Sequence, residues 1–484
     1  MKTSIISRFL IVAVLAAATC GALAHTRGGF SGKPGPDPIS GTDPSPTVGA
    51  SIGPVSLSAR LAQDKIYTGG DGSVSMALTL AAEAVESDKH APAQSVDLVI
   101  VLDRSGSMAG PKMDNALAAI RGLLDRLGPS DRFALVSYAS RVRRDTALLP
   151  VTPANRKRLR ATLDRIRPGG GTNLGGGLRM GIDSLRSAEA AANGVSRVVL
   201  VSDGLANEGI VDPEALGRMA ANATESRLSV STVGVGADFN ERLMTALADR
   251  GTGAYYFLDR PEAFAAVFES AFREARQAVA SGLEIRVPMR DGLRLTHAAG
   301  YPIEYRDGSA IFRPGDLLAG QERHLFLTFQ VPTGSEREFN IKDVEARFLQ
   351  ANEPVALRLP DAFTIACVAD PNAAVASIDR SVWEKKVLQD DFNQLRDAIS
   401  NALRLGDSRK AQQEIQEYRR KTAAMNDVVG SDAVEENLTE ALGKLEAEVK
   451  ETVTAAPSSV QRAAKKMQFE AYQGRRDRKA PKTP

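Results

Sequence analysis

The stretch Val96-Asp97-Leu98-Val99-Ile100-Val101-Leu102-Asp103-Arg104-Ser105-Gly106-Ser107 decides how this chain folds. Its first seven residues are almost continuously aliphatic, the pattern of a strand buried on both faces of a parallel sheet. An acid and two hydroxyls then leave the carboxyl end of that strand, the edge where open α/β sheets bind ligands. Outward from here the chain alternates. Apolar strands are expected at Arg132 to Tyr138, Arg197 to Ser202, Leu228 to Val235 and Tyr255 to Leu258. Helices are expected from Met113 to Leu127, Thr152 to Ile166, Leu174 to Ser187, after Asp212-Pro213, and from Pro261 to Ala278. Cap-then-proline pairs mark two of their starts. Such alternation predicts a doubly wound, mostly parallel sheet over residues 95–279.

Two further segments belong with the opening stretch. Thr172 lies in the loop Gly169-Gly170-Gly171-Thr172-Asn173-Leu174-Gly175, and Asp203 ends the strand that closes Val199-Leu200-Val201-Ser202-Asp203. Asp103, Ser105, Ser107, Thr172 and Asp203 together offer only oxygen donors, the set a small hard cation takes. Asp-x-Ser-x-Ser alone is equally a helix cap. The separate threonine and second aspartate, each in a matching context, move the reading to metal. The glycine loop lacks the Gly-Lys-Ser/Thr ending of a phosphate-binding loop, and its glycines instead allow Thr172 a close approach.

This set resembles the metal-ion-dependent adhesion site of the von Willebrand factor A domain family, with all five positions filled. The resemblance implies direct ligation of a divalent ion by Ser105 and Ser107, and a direct or water-mediated role for Thr172. It implies that Asp103 and Asp203 hold bound waters and balance charge. Mg²⁺ is the expected ion, with Mn²⁺ or Ca²⁺ as alternatives, and an acidic group of a protein partner would fill an open position. Asn173 and Asn207 flank the ion and are candidate partner contacts, or simply turn asparagines. The flanking segments look like bacterial secreted proteins related to the calcium-activated chloride channel group, with no channel implied.

Around the α/β unit the periodicity changes to two. Val55 to Leu61, Val74 to Leu80, Leu283 to Val287 and His324 to Val331 alternate, separated by Gly and Asp turns. Segments 54–94 and 280–370 therefore predict an antiparallel β-sandwich into which the α/β domain is inserted. Residues 25–53, rich in Gly, Pro, Ser and Thr, are expected to be a flexible linker. Leu388, Phe392, Leu395, Ile399 and Leu403, then Val434, Leu438, Leu442, Leu445 and Val449, recur at helical spacing and predict a helical region over 378–455. Asp390 and Asp391 are expected on its exposed face. Residues 456–484 are expected to form a basic tail without regular structure, ending in Gly474-Arg475-Arg476-Asp477-Arg478-Lys479.

The 484 residues are too many for one core. Sixty-one Lys and Arg against 59 Asp and Glu leave a net charge of +2, which gives no general basic footprint, so nucleic acid is not an expected partner. Lys2 and Arg8, the apolar run Phe9 to Ala18 and Ala22-Leu23-Ala24 predict a signal peptide over 1–24, cleaved after Ala24. The run is too short to span a bilayer, so no transmembrane segment is expected after its removal, and the location is expected to be secreted or periplasmic. Lipidation at Cys20 is the alternative, although the preceding Ala17-Ala18-Thr19 lacks the usual leucine. Loss of Cys20 would leave Cys367 alone, in an expected strand. The four histidines are scattered and form no zinc-type pair. Neither serine sits in a Gly-x-Ser-x-Gly elbow. A non-enzymatic binding protein is expected; the alternatives are a metal-assisted hydrolase and a structural subunit of an envelope assembly.

Overall fold

A computed structural model describes residues 46–84, 95–187 and 194–476. The expected signal peptide, most of the expected linker and the last residues of the basic tail lie outside these.

Four strands open the chain: β1 (Val48–Ile52), β2 (Val55–Leu61), β3 (Lys65–Tyr67) and β4 (Ser73–Ala82). Next comes the α/β unit. Its strands are β5 (Ser95–Asp103), β6 (Arg132–Tyr138), β7 (Val142–Arg144), β8 (Leu149–Pro150), β9 (Gly194–Ser202), β10 (Leu228–Val235) and β11 (Thr252–Leu258). Its helices are α1 (Pro111–Arg126), α2 (Pro153–Leu163), α3 (Leu174–Arg186), α4 (Pro213–Glu225), α5 (Glu241–Arg250) and α6 (Phe264–Gln277). The sheet order is β11-β10-β9-β5-β6-β7, with β8 also on β6. β5, β6, β9, β10 and β11 run parallel, while β7 and β8 are antiparallel to β6. Helices α1 and α6 cover one face through Ile120, Leu124 and Phe268; α3, α4 and α5 cover the other through Leu178, Leu216 and Leu247. Burial on both faces explains why the β5 run carries no polar alternation.

The chain then returns to the β layer with β12 (Ala278–Pro288), β13 (Arg294–Ala298), β14 (Glu304–Arg306), β15 (Ser309–Leu318), β16 (Glu322–Gln330), β17 (Arg337–Ile341), β18 (Glu345–Gln350), β19 (Glu353–Arg358) and β20 (Phe363–Val368). One sheet runs β1-β2-β4-β16-β13 and the facing one β14-β15-β12-β18-β19. They share a core that includes Leu57, Leu78, Leu327, Ile285, Phe312 and Phe348. Because β4 and β12 both lie in this layer, the α/β unit is an insertion in it. A small sheet, β17-β20-β3, holds the buried Cys367. Between the two units, the buried Arg197 of β9 pairs with the buried Asp316 of β15.

Helices α7 (Pro371–Ala376), α8 (Arg380–Lys385), α9 (Phe392–Arg404), α10 (Ser408–Val429), α11 (Asp432–Glu436), α12 (Leu442–Thr454) and α13 (Pro457–Gly474) finish the described chain. Leu395, Ile399, Ile415, Leu442 and Val449 form their core.

Three expectations change. The linker expected over 25–53 gives way to strand at its end: β1 pairs antiparallel with β2, and only Val48 of it is buried, so its composition carries almost no apolar signal. The irregular tail expected over 456–484 contains α13, which starts with Pro457 at its first turn and buries Ala464, Met467, Ala471 and Tyr472. Small and aromatic residues among many charges hid that face. Asp390 is buried, not exposed, where a π-helical turn (Lys386–Asp391) rotates it toward His297 Nε2 at 3.2 Å.

Candidate functional site

In sequence order the sheet grows from β5 to β6 on one side, then jumps to β9 on the other. Strand order therefore reverses between β5 and β9, and a crevice opens at their carboxyl ends. Asp103 is the last residue of β5, and Asp203 directly follows β9. Both are fully buried.

Asp103 Oδ1 accepts from Ser105 N at 2.8 Å and Oδ2 from Ser202 Oγ at 3.0 Å. Burial pushes its carboxyl above the ordinary value; the Ser105 and Ser202 hydrogen bonds oppose this, and the Asp203 charge adds to it. The turn after Asp103 brings the Ser105 and Ser107 hydroxyls within 3.1 Å of each other. Ser107 Oγ donates to Asp203 Oδ1 at 2.7 Å, and Lys112 Nζ, from the first turn of α1, donates to Asp203 Oδ2 at 2.5 Å.

The Thr172 loop is laced to that turn: Gly106 N donates to Gly170 O at 3.1 Å and Gly169 N to Arg104 O at 2.8 Å. Gly169 and Gly170 have φ +153° and +87°, conformations that favour glycine. These two positions explain the glycine run. A Cβ built on Gly204 would lie 3.7 Å from Ser107 Oγ and 3.9 Å from Thr172 Oγ1, so hydroxyls from separate loops converge on one point. All five expected residues are thus brought together.

Asn173 and Asn207 work as loop scaffolding. Asn173 Oδ1 caps α3 by accepting from Gly176 N at 2.9 Å. Asn207 Oδ1 accepts from Thr172 N at 2.8 Å, and Thr172 O accepts from Asn207 N at 3.2 Å. Each carbonyl oxygen is engaged, which leaves the Nδ2 donors.

Sequence reasoning missed four supporting residues. Lys112 gave no signal, because a lysine in the first turn of a helix reads as solvated. Ser202 carries its role only through its position before Asp203. Tyr138, wholly buried beneath the site, donates from its hydroxyl to Val201 O at 2.8 Å. Ser140 accepts from Gly171 N at 2.8 Å and donates to Glu208 Oε1 at 2.9 Å, joining the β6–β7 turn to the other loops. Among the described residues no group of three or more His, Cys, Asp or Glu could hold a metal. Any ion at this site would depend on hydroxyls as much as carboxylates.

An α/β fold with oxygen donors gathered at its switch point is the architecture of a von Willebrand factor A-like domain. Residues 97–270 match the family model for the von Willebrand factor type A domain, and the chain contains such a domain. The chain is 30% identical over 249 residues to the uncharacterized protein YfbK of Escherichia coli (strain K12), covering 50% of this chain and 42% of that one. It is 27% identical over 259 residues to inter-alpha-trypsin inhibitor heavy chain H1 of Mesocricetus auratus, covering 52% of this chain but 28% of the relative. Among solved structures, a von Willebrand factor type A protein from Catenulispora acidiphila aligns with a TM-score of 0.59 at 17% identity, over 82% of this chain and 90% of that one. That likeness concerns the fold. No described helix is long and apolar enough to cross a membrane.

Proposed function

We propose that this protein binds a divalent cation through Ser105, Ser107, Thr172, Asp103 and Asp203, and uses it to capture an acidic side chain of a protein partner. The observation that supports this best is the pair of buried carboxylates with three hydroxyls converging between them. Lys112 compensates Asp203, which leaves the second buried carboxylate for a cation to balance, and hard oxygen donors suit Mg²⁺, or Mn²⁺ and Ca²⁺ less strictly. The two serines would be direct ligands, Thr172 would bind directly or through a water, and the two aspartates would accept from ion-bound waters. Because so few carboxylates would touch the ion, it would keep the electrophilic character to attract an Asp or Glu from outside. In this reading the Nδ2 groups of Asn173 and Asn207, whose Oδ1 atoms are engaged in the loops, would donate to that partner. A secreted or periplasmic setting, and kinship of the flanking segments with bacterial secreted proteins of the chloride-channel-related group, belong to this same reading.

A binding role is favoured over hydrolysis because the named partners of the site include no histidine; Lys112 and Tyr138 are engaged in structural bonds. The test is capture of envelope proteins on the immobilised chain. Retention in Mg²⁺, release by EDTA and no retention by Asp203→Asn are expected. Equal retention with and without EDTA would overturn the proposal.

A further inference from the structure

The rim of the site is asymmetric. Six large hydrophobic residues are exposed among the described residues, and two of them, Leu205 at 58% and Val211 at 46%, sit on the one loop between Asp203 and α4. Isolated exposed hydrophobics need no explanation. These two are held beside the site on an ordered loop: Gly204 abuts Ser107 and Thr172, and the amides of Asn207 and Glu208 donate to Thr172 O.

Across β5 lies a basic rim. Arg104 follows Asp103 directly, and its Nη2 donates at 3.3 Å to the carbonyl of Arg141, in the turn from β6 to β7. Arg104 Nε is buried with no hydrogen-bond partner. Among the described residues no carboxylate pairs with Arg104, Arg141 or Arg144, whereas Arg143 has Asp145 at 3.4 Å. Glu208, which also reaches this turn, accepts from Ser140 and pairs with neither Arg104 nor Arg141. Arginine on the edge strand β7 would blunt strand pairing, but Arg104 is not on that strand, so edge protection does not account for it. Arg104 and Arg141 are neighbours through that backbone bond, neither has a carboxylate partner among the described residues, and arginine suits a carboxylate.

We infer that the site takes an extended protein segment in one direction. Its central Asp or Glu meets the ion, an apolar side chain on one flank covers Leu205 and Val211, and a second acid on the other flank meets Arg104 and Arg141. This rests on the metal-dependent reading above and specifies the class of partner.

A random peptide library with a fixed central Glu, panned on the full chain in Mg²⁺, tests it. Enriched peptides should carry an apolar residue on one side and Asp or Glu on the other, always in the same order. Leu205→Ser should erase the apolar preference and weaken an enriched peptide by about tenfold or more, the range for burying one leucine. Arg141→Glu should erase or reverse the acidic preference. Both side chains are exposed, so unchanged thermal melting of both variants is the folding control. EDTA-sensitive peptides with random flanks would overturn this inference while leaving the metal reading intact. Peptides that survive EDTA, or bind equally with the central Glu changed to Gln, would overturn both.

Discussion

Arg476→Met should loosen the far end of the molecule more than any exposed charge change. Arg476 is wholly buried. Its Nη1 donates to Gly253 O at 2.7 Å and its Nη2 to Asp249 Oδ1 at 3.1 Å, and the guanidinium lies 4.8 Å from the Tyr472 ring centroid. Its own carbonyl accepts from Gln321 Nε2 at 3.2 Å. One residue therefore ties α13 to β11, to α5 and to the β-sandwich. Breaking a buried ion pair costs about 3–5 kcal/mol when the remaining charge is stranded. Here Arg475 Nη2 still reaches Asp249 at 2.7 Å, so Asp249 keeps a partner. What is lost is the acceptor bond to Gly253, about 1–3 kcal/mol when left unmet, plus stacking on Tyr472 of about 0.5–2 kcal/mol. The expected cost is about 3 kcal/mol, in proportion to those terms. Unfolding of a chain with several modules has no single free energy, so the assay is native-state trypsin cleavage within α13. If cleavage tracks the open population, about 3 kcal/mol means roughly a hundredfold faster nicking. Arg160→Met, which breaks an exposed pair with Asp125, should change stability by less than about 1 kcal/mol. Equal, small effects of the two substitutions would refute the idea that Arg476 fastens α13.

Asp103→Asn should abolish Mg²⁺ affinity while leaving the chelated protein as stable as wild type or more so: the asparagine oxygen can still accept from Ser105 N, its Nδ2 can donate to a reoriented Ser202 hydroxyl, and burial already disfavours the charge. Parallel calorimetry and thermal melts in EDTA would check it. Gly181→Ala should cost about 1–3 kcal/mol by overpacking, because its Cβ would lie 2.4 Å from Val101 Cγ2; urea midpoints read this. Burial pushes the Glu284 carboxyl up, but Arg286 and Arg313 overcome that and hold it below the usual glutamate value. A depressed acid contributes stability above its unfolded pKa of about 4.3 and loses it as pH falls through the lower folded value. Glu284→Gln should therefore destabilise at pH 7, and the difference should shrink progressively below about pH 4 in acid titrations followed by circular dichroism.

Much of the α/β unit was legible because β5 and β9 are continuous apolar runs with an acid at their ends, a pattern periodicity reports directly. The clustering of Asp103, Ser105, Ser107, Thr172 and Asp203 was legible because each sits just after a strand or in a glycine loop, where topology forces proximity. The roles of Lys112 and Ser140 were not. Neither differs locally from a solvated surface residue, and only the fold brings them to Asp203 and to the Thr172 loop. The same holds for α13. Lys465, Arg475 and Arg476 read as tail charges, yet Lys465 Nζ is buried between Glu241 Oε2 at 2.8 Å and the Phe239 carbonyl. Long-range ion pairs convert a polar sequence into an interface, and no local pattern records that.

The central claim is that oxygen atoms from three loops hold one divalent ion. The most direct measurement is calorimetric titration of Mg²⁺ into the intact chain and into Ser105→Ala/Ser107→Ala, after exhaustive chelation. Both hydroxyls lie in the turn after β5 and bond to each other and to Asp203, outside the sheet ladder, so the variant should fold as wild type does by circular dichroism. The account predicts one ion per wild-type chain and none in the variant. No binding by wild type, or the same stoichiometry and affinity in both proteins, would contradict it.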